Sequence, residues 1–205
     1  MVNVKVNNEM ASQPPVSIDL VDVKKFIRTR TLDFRFEFTR ETVMEVLNAL
    51  NKMIEFDKIM KTEDKLKVLR INVYSYGGHC ASLLALTAKI EQMQEMGYRV
   101  HTHNESTSCS CGFVLSILGD YKTGTPYCTY LNHQVSAGAM GTFAEMEVSL
   151  QDIREMQETF KEIIHKHCPE VPMEELERPY LTNRDITYNA KEAKELGFID
   201  DIILG

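Results

Sequence analysis

The chain has 205 residues, 43% of them hydrophobic, with a formal net charge of −7 and a pI near 5.4. That length provides one sizeable core rather than two independent domains, and an acidic balance without basic clusters argues against a nucleic-acid backbone or an anionic membrane surface as partner. Five cysteines without the spacing of a disulfide framework, no apolar leader and no run near the ~20 apolar residues that span a bilayer lead us to expect a soluble, cytoplasmic protein.

Residues 1–19 are polar, carry Pro14-Pro15 and show no sustained period, as expected of a flexible N-terminal arm, which leaves residues 20–205 as one domain. Leu32, Phe34, Phe36 and Phe38 alternate with Asp33, Arg35 and Glu37, the period of a strand with one buried face. Thr39 is placed to cap a helix whose apolar face is Val43, Val46, Leu47, Leu50 and Ile54. Leu66 to Tyr74 reads as a strand buried on much of both faces, ending in Ser75-Tyr-Gly-Gly78. Leu83, Leu84, Leu86, Ile90 and Met93 predict a helix from Ala81 to Met96 with Gly97 at C′, and Tyr98 to His103 resumes an extended run.

Ser106-Thr-Ser-Cys-Ser-Cys-Gly112 then runs straight into the apolar segment Phe113–Leu118, closed by Gly119. Small and polar residues followed by a helix suit a loop that delivers a hydroxyl to a helix N-terminus, where free N–H groups activate a nucleophile and hold an oxyanion. Strand, glycine turn, helix, strand, small-residue turn, helix is the order of a largely parallel α/β sheet, whose sites form at the C-terminal ends of strands. Both the Gly77-Gly78 turn and the Ser106–Gly112 stretch lie at such ends.

Asp120 to Pro126 reads as a turn, Tyr127 to Asn132 as a short strand delivering His133, and Gly138 to Gly141 as a hinge-like segment. Thr142-Phe-Ala-Glu145 is a capping box. It opens a helix over about residues 142–167, about 37 Å long at about 1.5 Å per residue. A helix of that length either packs on its own core along its methionine-rich stripe or projects to a neighbouring subunit. Asn189-Ala-Lys-Glu192 is a second capping box, its helix ending at Gly197, and Phe198 to Leu204 is expected as a closing strand.

Tyr74-Ser-Tyr-Gly-Gly78, Ser110-Cys-Gly112 with Leu115 and Gly119, Asn132-His133-Gln134 before a long helix, Asn183-Arg-Asp185, and Asn189 through Asp200 together resemble the Clp protease proteolytic subunit family of serine proteases. The resemblance covers roughly residues 30–204 and implies a crotonase-like spiral of ββα units with a protruding handle helix. It makes Ser110 the nucleophile, His133 the general base and Asp185 the residue that orients the imidazole, with the N–H groups of Gly78 and Cys111 as the oxyanion hole. It further implies heptameric rings paired into a tetradecameric barrel that degrades unfolded polypeptides. No metal or other cofactor is expected in this chain; ATP would be used by a partner AAA+ unfoldase. The chain departs from the family's usual glycine, glutamine and two alanines at Ser106, Thr107, Ser108 and Cys109. It also has Tyr76 for a proline, and two fewer residues between Gly119 and His133.

The residues leave alternatives open. Ser108 offers a second hydroxyl two positions from Ser110; Cys109 or Cys111 with His133 could make a thiol nucleophile; His101, His103, Cys109 and Cys111 alternate as zinc ligands on an extended chain can. A ring-forming structural subunit with weak activity, or an acyl-CoA enzyme on the same spiral fold, are the other function classes.

Overall fold

The computed structural model describes residues 20–204, so the arm expected over residues 1–19 lies outside the described residues. The strands are β1 (Thr31–Phe34), β2 (Val68–Ser75), β3 (Arg99–Cys109), β4 (Tyr121–Gly124), β5 (Thr129–Asn132), β6 (Ile186–Asn189) and β7 (Asp201–Ile202). The helices are α1 (Val23–Thr29), α2 (Arg40–Met60), α3 (Cys80–Glu95), α4 (Cys111–Ser116), α5 (Phe143–His167), α6 (Met173–Thr182) and α7 (Ala190–Leu196). A mixed α/β fold results, with a parallel run in the order β1-β2-β3-β4-β7. β5 joins the last part of β3 in parallel, and β6 pairs antiparallel with β5.

β2 shows why the sheet lies where it does. Leu69, Ile71 and Val73 are fully buried, whereas Arg70 and Tyr74 on the other face are exposed and Asn72 is half-buried. The expectation of burial on both faces is therefore corrected. The apolar face joins Val46, Leu50 and Met53 of α2 and Leu83, Leu86 and Ile90 of α3 in one core. Each such side chain contributes about 2 kcal/mol by leaving water.

Other expectations shift for local reasons. The first strand stops at Phe34, although Leu32, Phe34 and Phe38 are all buried as their spacing predicts, and Phe38 instead makes an isolated bridge to Gly78. The stretch Ser106–Cys109 is strand rather than loop, because Thr107, Ser108 and Cys109 pair with Thr129, Tyr130 and Leu131. The expected turn over Asp120–Pro126 contains β4, held against His101–Asn104. The closing strand is only Asp201–Ile202. α1, α6 and β6 have no counterpart in the sequence reading, since α1 buries only Phe26 and α6 carries Pro179 inside a short helix.

The capping boxes of Thr142 with Glu145 and Asn189 with Glu192 are formed as expected. α5 is 25 residues long, yet only Phe160 and Ile164 near its end are buried. Its first half leaves Phe143, Val148 and Leu150 at 73%, 61% and 50% exposure. At the N-terminal ends of β1 and β3, Asp57 of α2 accepts from Arg30, from the Tyr98 hydroxyl at 2.6 Å and from the Thr62 hydroxyl at 2.7 Å, tying the ends of α1 and α2 to the start of β3.

Candidate active site

Ser110 stands between the end of β3 and the start of α4, with φ 55° and ψ −122°. A side chain in that region is strained by about 1–3 kcal/mol, which a fold tolerates where neighbouring structure over-determines the backbone. Here the Ser110 N–H is fixed by the Leu131 carbonyl of β5 at 2.9 Å. The Gly77-Gly78 turn presses on it from the other side: a Cβ at Gly77 would lie 2.7 Å from the Ser110 Cβ, and one at Gly112 would lie 2.6 Å from the Ser75 carbonyl oxygen. Glycine at these two positions lets the turn after β2 meet the start of α4, bringing together the two strand ends that the sequence singled out.

Ser108 is separated from Ser110 by its surroundings. It is fully buried in β3 and its hydroxyl has no partner among the described residues, whereas Ser110 is half-buried and lines a cleft of about 270 Å³. Gly78, Cys80, Cys111 and His133 line the same cleft. Its apolar wall includes Val114 of α4, Phe160 and Ile164 of α5 and Tyr180 of α6, whose phenol burial and the Glu158 charge push up to about 12.

Gly78 and Cys111, whose amides are expected to serve an oxyanion, both line the cleft beside Ser110. Cys111 is the first residue of α4, so its N–H has no partner within the helix. Among the described residues the Gly78 N–H donates to no backbone carbonyl, although its neighbours are tied down: Phe38 N–H donates to the Gly77 oxygen at 2.8 Å and His79 N–H to the Phe38 oxygen at 2.7 Å.

His133 follows β5 directly and is half-buried. The segment that carries it, residues 133–142, has no helix or strand, and two side chains hold its start. Gln134 donates to the Pro179 carbonyl and to the Asn183 side-chain oxygen, both at 3.1 Å, and the Val135 N–H donates to Gln157 of α5 at 2.9 Å. Asp185 is exposed and shares an adjoining depression with His133, Asn183 and Arg184. Its charge also reaches Cys109, whose thiol is raised first by burial and then by Asp185. The structure thus brings Ser110 and His133 to one cleft and His133 and Asp185 to the next. Among the described residues no hydrogen bond joins the three, a spacing common in unliganded hydrolases.

His101 and His103 do not converge with the cysteines. They line a separate cavity with Arg70, Asn72 and Tyr121, and burial lowers both imidazoles. Among the described residues there is no group of three or more histidines, cysteines and carboxylates that could hold a metal ion. The sequence reading gave no role to Cys80, beside the Gly77-Gly78 turn, or to Gln157 and Tyr180, on helices distant in sequence, and Gln134 lay in the Asn132-His133-Gln134 motif without a role.

The model of the Clp protease family matches residues 22–205. The chain belongs to that family. It is 28% identical over 150 residues to the ATP-dependent Clp protease proteolytic subunit 1 of Rhodopirellula baltica, a match covering 71% of this chain and 63% of that protein. It is 29% identical over 143 residues to the ATP-dependent Clp protease proteolytic subunit of Dehalococcoides mccartyi, covering 69% of this chain and 68% of that one. The match thus spans under two thirds of the first relative's length. Among the described residues no helix is long and apolar enough to cross a membrane.

Proposed function

We propose that this Clp family chain is a serine endopeptidase subunit that cleaves unfolded polypeptides inside an oligomeric chamber. The observation that carries the reading is Ser110 itself, a strained serine that opens a helix and faces a cleft shared with His133. His133 takes the proton of Ser110 as the hydroxyl attacks the peptide carbonyl. The N–H groups of Gly78 and Cys111 hold the oxyanion, and Asp185 orients the imidazole once the segment after His133 settles on substrate. His133 then returns the proton to the leaving amine, and water resolves the acyl-enzyme by the same route. The apolar wall of the cleft takes the side chain next to the scissile bond.

On this reading the chain needs no cofactor of its own. The first half of α5, with Phe143, Val148 and Leu150 off its own core, joins protomers into rings and rings into a barrel, and an ATP-driven unfoldase feeds it in the cytoplasm. The test is a fluorophosphonate reaction followed by intact mass, on native protein and on Ser110→Ala, with light scattering on the same samples. One adduct per chain that disappears in the variant, on a particle of seven or fourteen subunits, is the expected outcome. An adduct that persists in Ser110→Ala, or none on native protein in a large particle, would overturn the assignment of the nucleophile.

A further inference from the structure

Two thiols lie in the cleft that the hydrolysis above does not use. Cys80 is the first residue of α3 and Cys111 the first of α4, so their sulfurs sit at two helix starts that the Gly77-Gly78 turn brings against each other. Both line the cleft beside Ser110. Cys80 is half-buried, and Cys111 is 2% exposed. Cys111 donates to the Gly78 carbonyl at 3.3 Å, which holds its sulfur against the turn that leads two residues on into Cys80, and each thiol shifts the titration of the other. Cys109, Cys128 and Cys168 do not line this cleft.

We propose that Cys80 and Cys111 form a redox modification site, a thiol pair that a low-molecular-weight disulfide closes into a Cys80–Cys111 bond across the cleft, with loss of peptide hydrolysis. The Cys80 thiolate attacks one sulfur of the small disulfide, forming a mixed disulfide and expelling one thiolate. Cys111 gives its proton to that leaving thiolate and attacks the Cys80 sulfur, expelling the second, which takes a proton from water. Two electrons pass to the small disulfide, two small thiols leave, and the protein loses two hydrogens.

The order of attack follows from the surroundings. The neighbouring Cys111 thiol, against burial and with help from the Cys80 backbone amide, brings the Cys80 thiol down to about 7. The same pairing, together with burial, holds the Cys111 thiol up. Once Cys80 is capped, that restraint on Cys111 is gone, and the sulfur it must attack belongs to the same cleft wall. Bond formation draws the two sulfurs inside van der Waals contact and removes the hydrogen bond from Cys111 to Gly78, so the start of α4 shifts. The Cys111 N–H, one donor to the oxyanion, moves with it. This last consequence rests on the hydrolytic reading, whereas the bond itself does not.

The test treats the whole chain with oxidised glutathione, quenches with acid, and maps the five cysteines by alkylation under denaturing conditions. Fluorophosphonate labelling is measured on the same samples. The expected map shows Cys80 linked to Cys111 with the other thiols alkylated, and labelling about a hundredfold slower, the cost of one oxyanion donor. Dithiothreitol reverses both. Cys80→Ala and Cys111→Ala, each compared with its own reduced state, lose the sensitivity to oxidant. Five alkylated cysteines after oxidation, glutathione retained on Cys80, or a closed pair with unchanged labelling overturns the proposal. If reduced protein takes up no fluorophosphonate, the hydrolytic reading fails by itself, and the peptide map still decides the pairing.

Discussion

Ser110 occupies a backbone conformation that glycine adopts freely and serine does not. Strain of that kind at a hydroxyl beside His133 is what separates it from Ser108, a serine of ordinary strand geometry with no access to the cleft. Ser110→Ala is therefore expected to abolish peptide hydrolysis, a loss of about 10⁴-fold or more, while Ser108→Ala keeps most of it. A peptidase assay with the reverse pattern would exchange the two assignments. Asp185 is the most exposed member of the proposed triad, and it adjoins His133 without bonding to it. On the proposed mechanism Asp185→Asn still lowers kcat by about 10⁴-fold, because the amide favours the wrong imidazole tautomer. A variant with near-native kcat would remove Asp185 from the mechanism.

At the scale of elements, what was legible in the sequence was what is periodic or capped. α2, α3 and α5 announce themselves through apolar residues three and four apart, and the helix starts at Thr142 and Asn189 through side chains that satisfy free N–H groups. β4 and β6 were not legible, because they exist through the edges that β3 and β5 offer for pairing. Ser106–Cys109 looked like a loop by composition and became strand by pairing, a tertiary effect overriding local preference. The network around Asp57 was equally silent, because its members Arg30, Thr62 and Tyr98 are scattered along the chain. Burial would raise the Asp57 carboxyl, but hydrogen bonds from Arg30, Tyr98 and Thr62 outweigh it and hold the group below its ordinary value. A depressed carboxylate stabilises the fold fully above its unfolded pKa of about 4, and that contribution is lost as pH falls through the folded value. Asp57→Asn is expected to lower stability by about 2 kcal/mol near neutrality and to flatten its fall below about pH 4, as read by denaturant unfolding. Parallel curves for the two proteins would contradict this account.

For the molecule as a whole, the order of turns at strand ends made the meeting of Gly78 with Ser110 legible, and the structure shows how closely: a methyl group at Gly77 would not fit. The disposition of α5 could not be read from its spacing alone, since the same stripe serves a core or a neighbour. With Phe143, Val148 and Leu150 left in solvent, replacing Val148 and Leu150 by Asp is expected to reduce the particle to smaller species in light scattering without changing the far-ultraviolet spectrum. An unchanged particle would place the assembly contacts elsewhere. One further consequence lies in β3, which is paired along one edge with β2 and along the other first with β4 and then with β5. Its amides should exchange with deuterium only through global opening, while those of residues 133–142, outside any helix or strand, should exchange within the folded state. The serine is thus anchored to the part expected to breathe slowest, whereas the histidine stands where β5 gives way to a segment expected to breathe faster. On mild warming, activity should decline with the protection of residues 133–142, well before the sheet itself gives way.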